Sequence, residues 1–305
     1  KTTLLDTLRK ASVADGEAGG ITQRLSAFRV NNAGGGGKQV VFLDTPGHAA
    51  FSDMRSHGVS ATDMVVLVVA IDDGVKTQTN EALKTAKDAG CTIIVALNKC
   101  DKIPDLQLRK EARARVLAQL VAEGLVAEDY GGDTMVVETA AQTGFGLEAL
   151  LEGIGLQADV MELTAASEGQ CEAVVLDAAM EKGKGVVADV LVRWGSLSVG
   201  DNIIVDTMYG KVKAMEDDTG KPIQTAGPSM PVRILGLRTV PTAGQEMLSV
   251  DSEGRARSIS ERRQKVHDMR LFRRQQTSPG DAASKGAVPV LDLVIKADGV
   301  GSLEA

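Results

Sequence analysis

Apolar runs that stop abruptly at polar residues set the pattern of the first half of the chain. Val40-Val41-Phe42-Leu43 ends at Asp44-Thr45 before Pro46-Gly47, and Met64 to Ile71 ends at Asp72-Asp73-Gly74. Ile93 to Leu97 ends at Asn98-Lys99-Cys100-Asp101. Runs of this length bounded by turn residues predict buried strands. Between and around them lie stretches of helical composition. Thr2–Arg9 carries leucines at 4, 5 and 8, and Gln78–Ala89 stops at Gly90. Leu106–Glu123 predicts a longer amphipathic helix with Leu106, Leu108, Val116, Leu117, Leu120 and Val121 as its core residues. Phe28 and Val30 fit a strand joined to Val40–Leu43 through a turn over Asn31–Gly37, and Ala14–Gly20 reads as a loop. Met135–Glu138 adds a short strand, and Gly146–Ile154 opens a helix that closes the domain near residue 160. The strands ending at Leu43, Ile71 and Leu97, separated by helices, predict a parallel α/β sheet. Such sheets bind ligands at the carboxyl ends of their strands, where the polar residues fall.

From Glu172 the texture changes. Val174–Leu176, Val186–Val192, Asn202–Val205, Lys211–Met215 and Val232–Leu235 are short strand-like runs, with turns at Gly183-Lys184-Gly185 and Trp194-Gly195. With few helices among them they predict an all-β domain, and pattern alone leaves a closed barrel and a sandwich both open. Arg255–Gln276 then reads as a helix rich in arginine, with eight Lys/Arg against two Glu/Asp between Arg255 and Arg274. Pro279–Lys285 is a polar break, and Val288–Ile295 looks like the first strand of another domain.

Composition narrows the class. A chain of 305 residues is long enough for more than one domain, and 43% hydrophobic content suits folded material. The net charge of −7 argues against a uniformly basic nucleic-acid coat while leaving a local patch open. The three cysteines, Cys91, Cys100 and Cys171, are spaced too widely for a metal-ligand cluster and fit a reducing compartment. No apolar run approaches membrane-spanning length.

Lys1-Thr2-Thr3, Gly20-Ile21-Thr22, Asp44-Thr45-Pro46-Gly47-His48 and Asn98-Lys99-Cys100-Asp101 occur in the order of a GTPase signature. The wording around them resembles the bacterial-type and organellar translation initiation factor 2 family. The resemblance extends through Leu125–Asp133, Gly185-Val186-Val187, Arg193-Trp194-Gly195, Ala226-Gly227-Pro228 and Leu291–Asp298. It implies a P-loop GTPase domain with a mostly parallel sheet over 1–160 and a small β-barrel over 165–254. A basic helical connector over 255–287 and the start of a truncated third α/β domain over 288–305 would follow.

The resemblance also implies roles. Lys1 would neutralise the β- and γ-phosphoryl oxygens, and Thr2, Thr22 and Asp44 would hold Mg²⁺, with Asp44 acting through water. Gly47 would offer its N–H to the γ-phosphate, and His48 would orient the attacking water as the catalytic residue. Asn98 and Asp101 would choose GTP/GDP over adenine nucleotides, because a carboxylate accepts two hydrogen bonds from guanine that adenine does not offer. Lys99 would lay its stem along the base. Ala140, Ala141 and Gln142 occupy the last base-contact loop, where the N–H of Ala141 would meet guanine O6. Two departures stand out: Arg24 where the family has histidine, and Ala140-Ala141-Gln142 where it has Ser-Ala-Lys. The second predicts weaker guanine binding with its specificity kept.

The implied activity is ribosome-dependent GTP hydrolysis in translation initiation, promoting initiator tRNA placement and ribosomal subunit joining. Its partners would be both ribosomal subunits with their RNA, and initiator tRNA through a domain beyond Ala305, with no membrane partner. The setting would be the bacterial cytoplasm, or a mitochondrion or plastid in a eukaryote. A chain opening at Lys1 lacks the glycine-rich loop expected before that lysine, so it reads as an internal fragment that binds nucleotide poorly by itself. That keeps a second class open, a catalytically inactive ribosome- or RNA-binding fragment acting through the arginine-rich helix. A P-loop ATPase is weighed against by Asn98 and Asp101.

Overall fold

The computed structural model describes residues 1–9, 25–33, 38–45 and 52–276. These residues divide into two compact units, the first Lys1–Ala165 and the second from Ala166.

In the first unit, helix α1 (Thr2–Arg9) precedes a hairpin of β1 (Ser26–Ala33) and β2 (Lys38–Asp44), followed by α2 (Ser52–Ser60). Then β3 (Met64–Ala70), α3 (Thr77–Asp88), β4 (Thr92–Asn98), α4 (Leu106–Ala122), β5 (Val136–Glu138) and α5 (Leu147–Val160) alternate. Strands β3, β4 and β5 form a parallel sheet, in register from Met64↔Thr92 to Ala70↔Asn98 and from Val95↔Val136 to Leu97↔Glu138. Because β4 is central, it is buried from Ile93 through Asn98, and its alternate residues serve opposite cores. Ile93, Val95 and Leu97 pack with Leu83 of α3 and Val116, Leu117 and Leu120 of α4. Ile94 and Ala96 pack with Leu4 of α1 and Leu147, Leu150 and Ile154 of α5. The polar residues that follow each apolar run are thereby carried to one edge of a sheet covered on both faces.

Two expectations are corrected here. Val40–Leu43 does not join the parallel ladder: β2 pairs antiparallel with β1, from Ser26↔Asp44 to Ala33↔Lys38, though Val40 and Phe42 still pack on the α1 and α5 side. A short connection can join only antiparallel neighbours, and β1 is the nearer partner along the chain. On α4, Leu106, Leu108 and Val121 are exposed instead of core, while Ala112, Val116, Leu117 and Leu120 are buried. At 3.6 residues per turn, Leu108 and Val121 fall roughly a quarter turn or more from the centre of the buried stripe, and Leu106 opens the first turn.

The second unit is antiparallel. Its strands are β6 (Glu172–Glu181), β7 (Gly185–Trp194), β8 (Leu197–Ser198), β9 (Asn202–Val205), β10 (Met208–Lys211) and β11 (Ala214–Asp217). They continue with β12 (Pro222–Ile223), β13 (Thr225–Ala226), β14 (Pro231–Leu235) and β15 (Glu246–Val250). Eight strands hydrogen-bond in the order β10-β9-β15-β6-β7-β14-β11-β12, and β8 pairs with β13. Their inward residues, among them Val175, Val190, Ile203, Met215, Ile234 and Met247, share one core, which makes the curled sheet a half-barrel. The expected strand Lys211–Met215 is instead two strands. Val212 turns aside to exchange backbone bonds with the Gly200-Asp201 turn (Val212 N–H to Asp201 O 2.9 Å; Gly200 N–H to Val212 O 2.8 Å) and is buried.

Helix α6 (Glu253–Gln276) follows. Its first half lies against the half-barrel: Ala256 is buried, Ser260 Oγ donates to Thr207 O at 2.5 Å, and Arg263 Nη1 donates to Asp206 O at 3.0 Å. Farther along, Arg262, Lys265, Val266, Met269 and Arg270 are exposed. The strand expected at Val288–Ile295 lies outside the described residues. Cys100 and Cys171 are buried, and burial pushes the Cys171 thiol up to about 12. Among the described residues, no helix is long and apolar enough to cross a membrane.

Candidate functional site

Three strand ends and one loop converge on the polar edge of the first unit. Asp44 closes β2 and is only 7% exposed. Lys1 leads into α1, its carbonyl accepting the N–H of Leu5 at 3.1 Å, and Thr2 beside it is half-buried. Although Lys1 is exposed as a residue, loss of solvent around its ammonium lowers its pKa. The Asp44 carboxylate opposes that shift and the Arg55 guanidinium adds to it. The cation and carboxylate expected around a triphosphate are therefore electrostatic neighbours. Thr22, Gly47 and His48, expected at the same site, lie outside the described residues, as do Arg24 and Pro46.

A second cluster forms where β4 meets the loop after β5. Asn98, 7% exposed, uses its Oδ1 to accept the N–H of Lys99 at 2.8 Å and that of Ala141 at 3.1 Å. Lys99 sits in the left-handed region (φ 67°), a conformation that a non-glycine residue keeps only when its surroundings enforce it. Here the bond to Asn98 and the short helical turn Cys100–Lys102 do so, the turn being tied by Cys100 N–H to Thr139 O at 3.2 Å. Asp101 on that turn is exposed, with no hydrogen bond or ion pair among the described residues. The Lys99 ammonium is 3.4 Å from Asp73 Oδ2 and 3.9 Å from Asp72 Oδ1. Lys102 reaches Asp72 at 2.7 Å and holds that carboxyl below its usual range.

The loop Ala140-Ala141-Gln142 departs from one expectation. The Ala141 N–H, expected to meet guanine O6, is given to Asn98, and the Ala140 N–H is given to Phe145 O at 2.9 Å. The N–H of Gln142, an exposed residue, has no acceptor among the described residues. The loop's close is set by Gly146 (φ +74°), where a Cβ would stand 1.9 Å from Glu138 O, so only glycine fits.

Thr7 joins the two clusters. Its hydroxyl lies 2.9 Å from Ala141 O and 2.8 Å from Thr3 O, one proton serving both carbonyls. Helix α1 thus carries Lys1 and Thr2 at one end and grips the base-side loop one turn later. Sequence reading missed Thr7, which carries no motif signal, and the second task of Asn98, whose oxygen ties the two loops together. Arg55 and Glu81 were missed as well. Only the burial of an arginine, invisible in one dimension, marks them.

Oxygen donors of this kind suit magnesium. Among the described residues no group of three or more His, Cys, Asp and Glu could hold a metal by itself. A strand-tip carboxylate and a helix-start hydroxyl fit an ion that keeps several waters and takes its other ligands from phosphates.

The fold and these clusters define a P-loop GTPase domain followed by an antiparallel half-barrel, the arrangement of the translational GTPases. A family profile described as "Elongation factor Tu GTP binding domain" matches residues 1–159, and one described as "Elongation factor G domain 2" matches residues 170–250. The chain belongs to the translational GTPase family. Among its relatives, it is 48% identical over 312 residues to translation initiation factor IF-2 of Psychrobacter cryohalolentis, covering 100% of this chain and 33% of that protein. The chain therefore spans about a third of that relative's length. The crystal structure of GDP-bound aIF5B from Aeropyrum pernix superposes with a TM-score of 0.69 at 28% identity, over 87% of this chain and 54% of that one. Bacterial selenocysteine-specific elongation factor EF-Sec shares the fold, with a TM-score of 0.65 at 22% identity over 81% of this chain and 42% of that chain.

Proposed function

We propose that the chain is the GTP-binding core of a translation initiation factor that hydrolyses GTP on the ribosome while initiator tRNA is placed and the subunits join. The observation that carries this reading is the Asn98–Ala141–Lys99 bond set, which leaves the Asp101 carboxylate exposed and unpaired at the strand edge. The 48% identity to an initiation factor supports the choice of step. In this reading Asp101 accepts the two guanine donors, Gln142 N–H meets guanine O6, and Lys99 covers the ring with its stem. Lys1 balances charge on the transferred phosphoryl group, Gly47 N–H holds it, and His48 orients the water. Thr2, Thr22 and Asp44 hold the metal. Magnesium, when bound with the nucleotide, neutralises charge on the β- and γ-phosphoryl oxygens. The domain limits 1–160, 165–254, 255–287 and 288–305 belong to the same proposal.

The test is displacement of a fluorescent GDP from the full-length gene product by GDP or ADP, with ribosome-stimulated hydrolysis measured alongside. GDP should compete at least about a hundredfold better than ADP, and His48→Ala should slow ribosome-stimulated turnover without weakening GDP. Equal competition by ADP would remove the reading.

RNA contact through α6 is a second reading compatible with the first. Arg262, Lys265 and Arg270 are exposed with no carboxylate partner among the described residues, whereas Arg257 is paired with Glu261 at 2.9 Å. Replacing Arg262, Lys265 and Arg270 by glutamine should lower the slope of ribosome affinity against salt by about two to three. An unchanged slope would leave α6 a solvated strut.

A further inference from the structure

Arg55 follows the Asp44–His48 motif along the chain but has no role assigned in the nucleotide chemistry. Yet among the described residues the buried charged side chains are Asp44, Arg55 and Asp177, so Arg55 is the buried cation of this set, at 6% exposure. Burying a guanidinium costs several kcal/mol unless it is paired. Its Nη2 donates to Glu81 Oε2 at 3.0 Å, which ties α2 to α3. One turn farther along α2, Gly58 is pressed against the end of β2: a Cβ there would stand 2.8 Å from Thr45 Cγ2 and 3.3 Å from Leu25 Cδ1. Thr45 directly follows Asp44. Helix α2 therefore meets the phosphate-side cluster beside Asp44, and the ion pair to α3 fixes where it sits.

We propose that Arg55 is a positioning residue of the magnesium and phosphate site: anchored on Glu81, it sets the seat of α2, and α2, through Gly58 against Thr45, sets Asp44. This rests on the GTPase reading and adds to it an ion pair between α2 and α3. A pair that only stabilised helix packing would weaken every ligand alike. A pair that aims Asp44 acts on the metal alone.

The experiment measures fluorescent GDP binding to the full-length gene product across a magnesium titration and in EDTA, for Arg55→Gln, Glu81→Gln and the double variant. Each single change should raise the half-saturating magnesium concentration about tenfold, the range seen when a partner behind a metal ligand is lost. Affinity in EDTA and the preference for GDP over ADP should stay within about twofold. The double variant should shift no further than either single one, because the two residues act as a unit. Glu81→Gln, on a half-exposed side chain, keeps the test open if Arg55→Gln folds poorly. An unchanged magnesium requirement, or equal weakening with and without magnesium, overturns the inference. A parent protein without guanine preference overturns the GTPase reading instead, and this inference falls with it.

Discussion

Asp101→Asn should cost the full-length protein about three orders of magnitude in GDP affinity and give it a preference for xanthosine diphosphate. A site built to hydrogen-bond a ligand rejects one that leaves its buried polar groups unpaired, and discrimination of about 10⁴ is within reach of such sites. The carboxylate presents two acceptors to the guanine N1–H and amine; the amide presents one acceptor, for N1–H, and one donor, for the C2 carbonyl oxygen that xanthine carries in place of the amine. Because Asp101 is exposed on the Cys100–Lys102 turn and bonds to nothing among the described residues, the change should leave thermal stability where it was. Competition of GDP and xanthosine diphosphate for the same protein reads both halves of the expectation. Retained GDP affinity in the variant would show that Asp101 does not read the base.

Asn98→Ala should behave differently, losing both stability and nucleotide. The buried Oδ1 accepts from Lys99 N–H and Ala141 N–H. Deleting it strands two backbone donors, at a cost of about 2 kcal/mol or more. The left-handed Lys99 would lose the bond that holds it, and the Ala140–Gln142 loop would lose its tie to β4. Denaturant unfolding of the variant should show the stability loss. GDP binding should fall about a hundredfold, beyond what one missing base contact explains. A variant with normal stability and weak GDP binding would mean that Asn98 serves the base and not the loops.

Those two residues show how far the sequence could be read. The ordered set Lys1-Thr2, Asp44-Thr45-Pro46-Gly47-His48 and Asn98–Asp101 pointed to the fold class because together it resembles a known GTPase signature. Helices α3, α4 and α5 were legible from their composition, with glycines marking the end of α3 at Gly90 and the start of α5 at Gly146. The turn between β1 and β2 was legible too, but the exclusion of β2 from the parallel ladder was not, because an apolar run looks the same whether its partner runs parallel or antiparallel. Neither was the break at Val212, which exists only because the Gly200-Asp201 turn offers its backbone groups there. The outer leucines of α4 looked like core because hydrophobicity is visible in sequence and the direction of a helix face is not.

By itself the sequence determined the chemistry on offer: a lysine, hydroxyls, carboxylates and an asparagine at strand ends, apolar runs that demand a covered sheet, and a β-rich stretch from Glu172 followed by an arginine-rich helix. The tertiary structure decided which of these groups are spent on one another. It turned the Asn98 oxygen and the Ala141 N–H inward, left Asp101 and the Gln142 N–H outward, joined Thr7 to the base-side loop, and paired the buried Arg55 with Glu81. The physical reason is that a polar group's availability depends on whether its partner already lies within about 3 Å, a distance between residues up to 134 positions apart that no local pattern encodes.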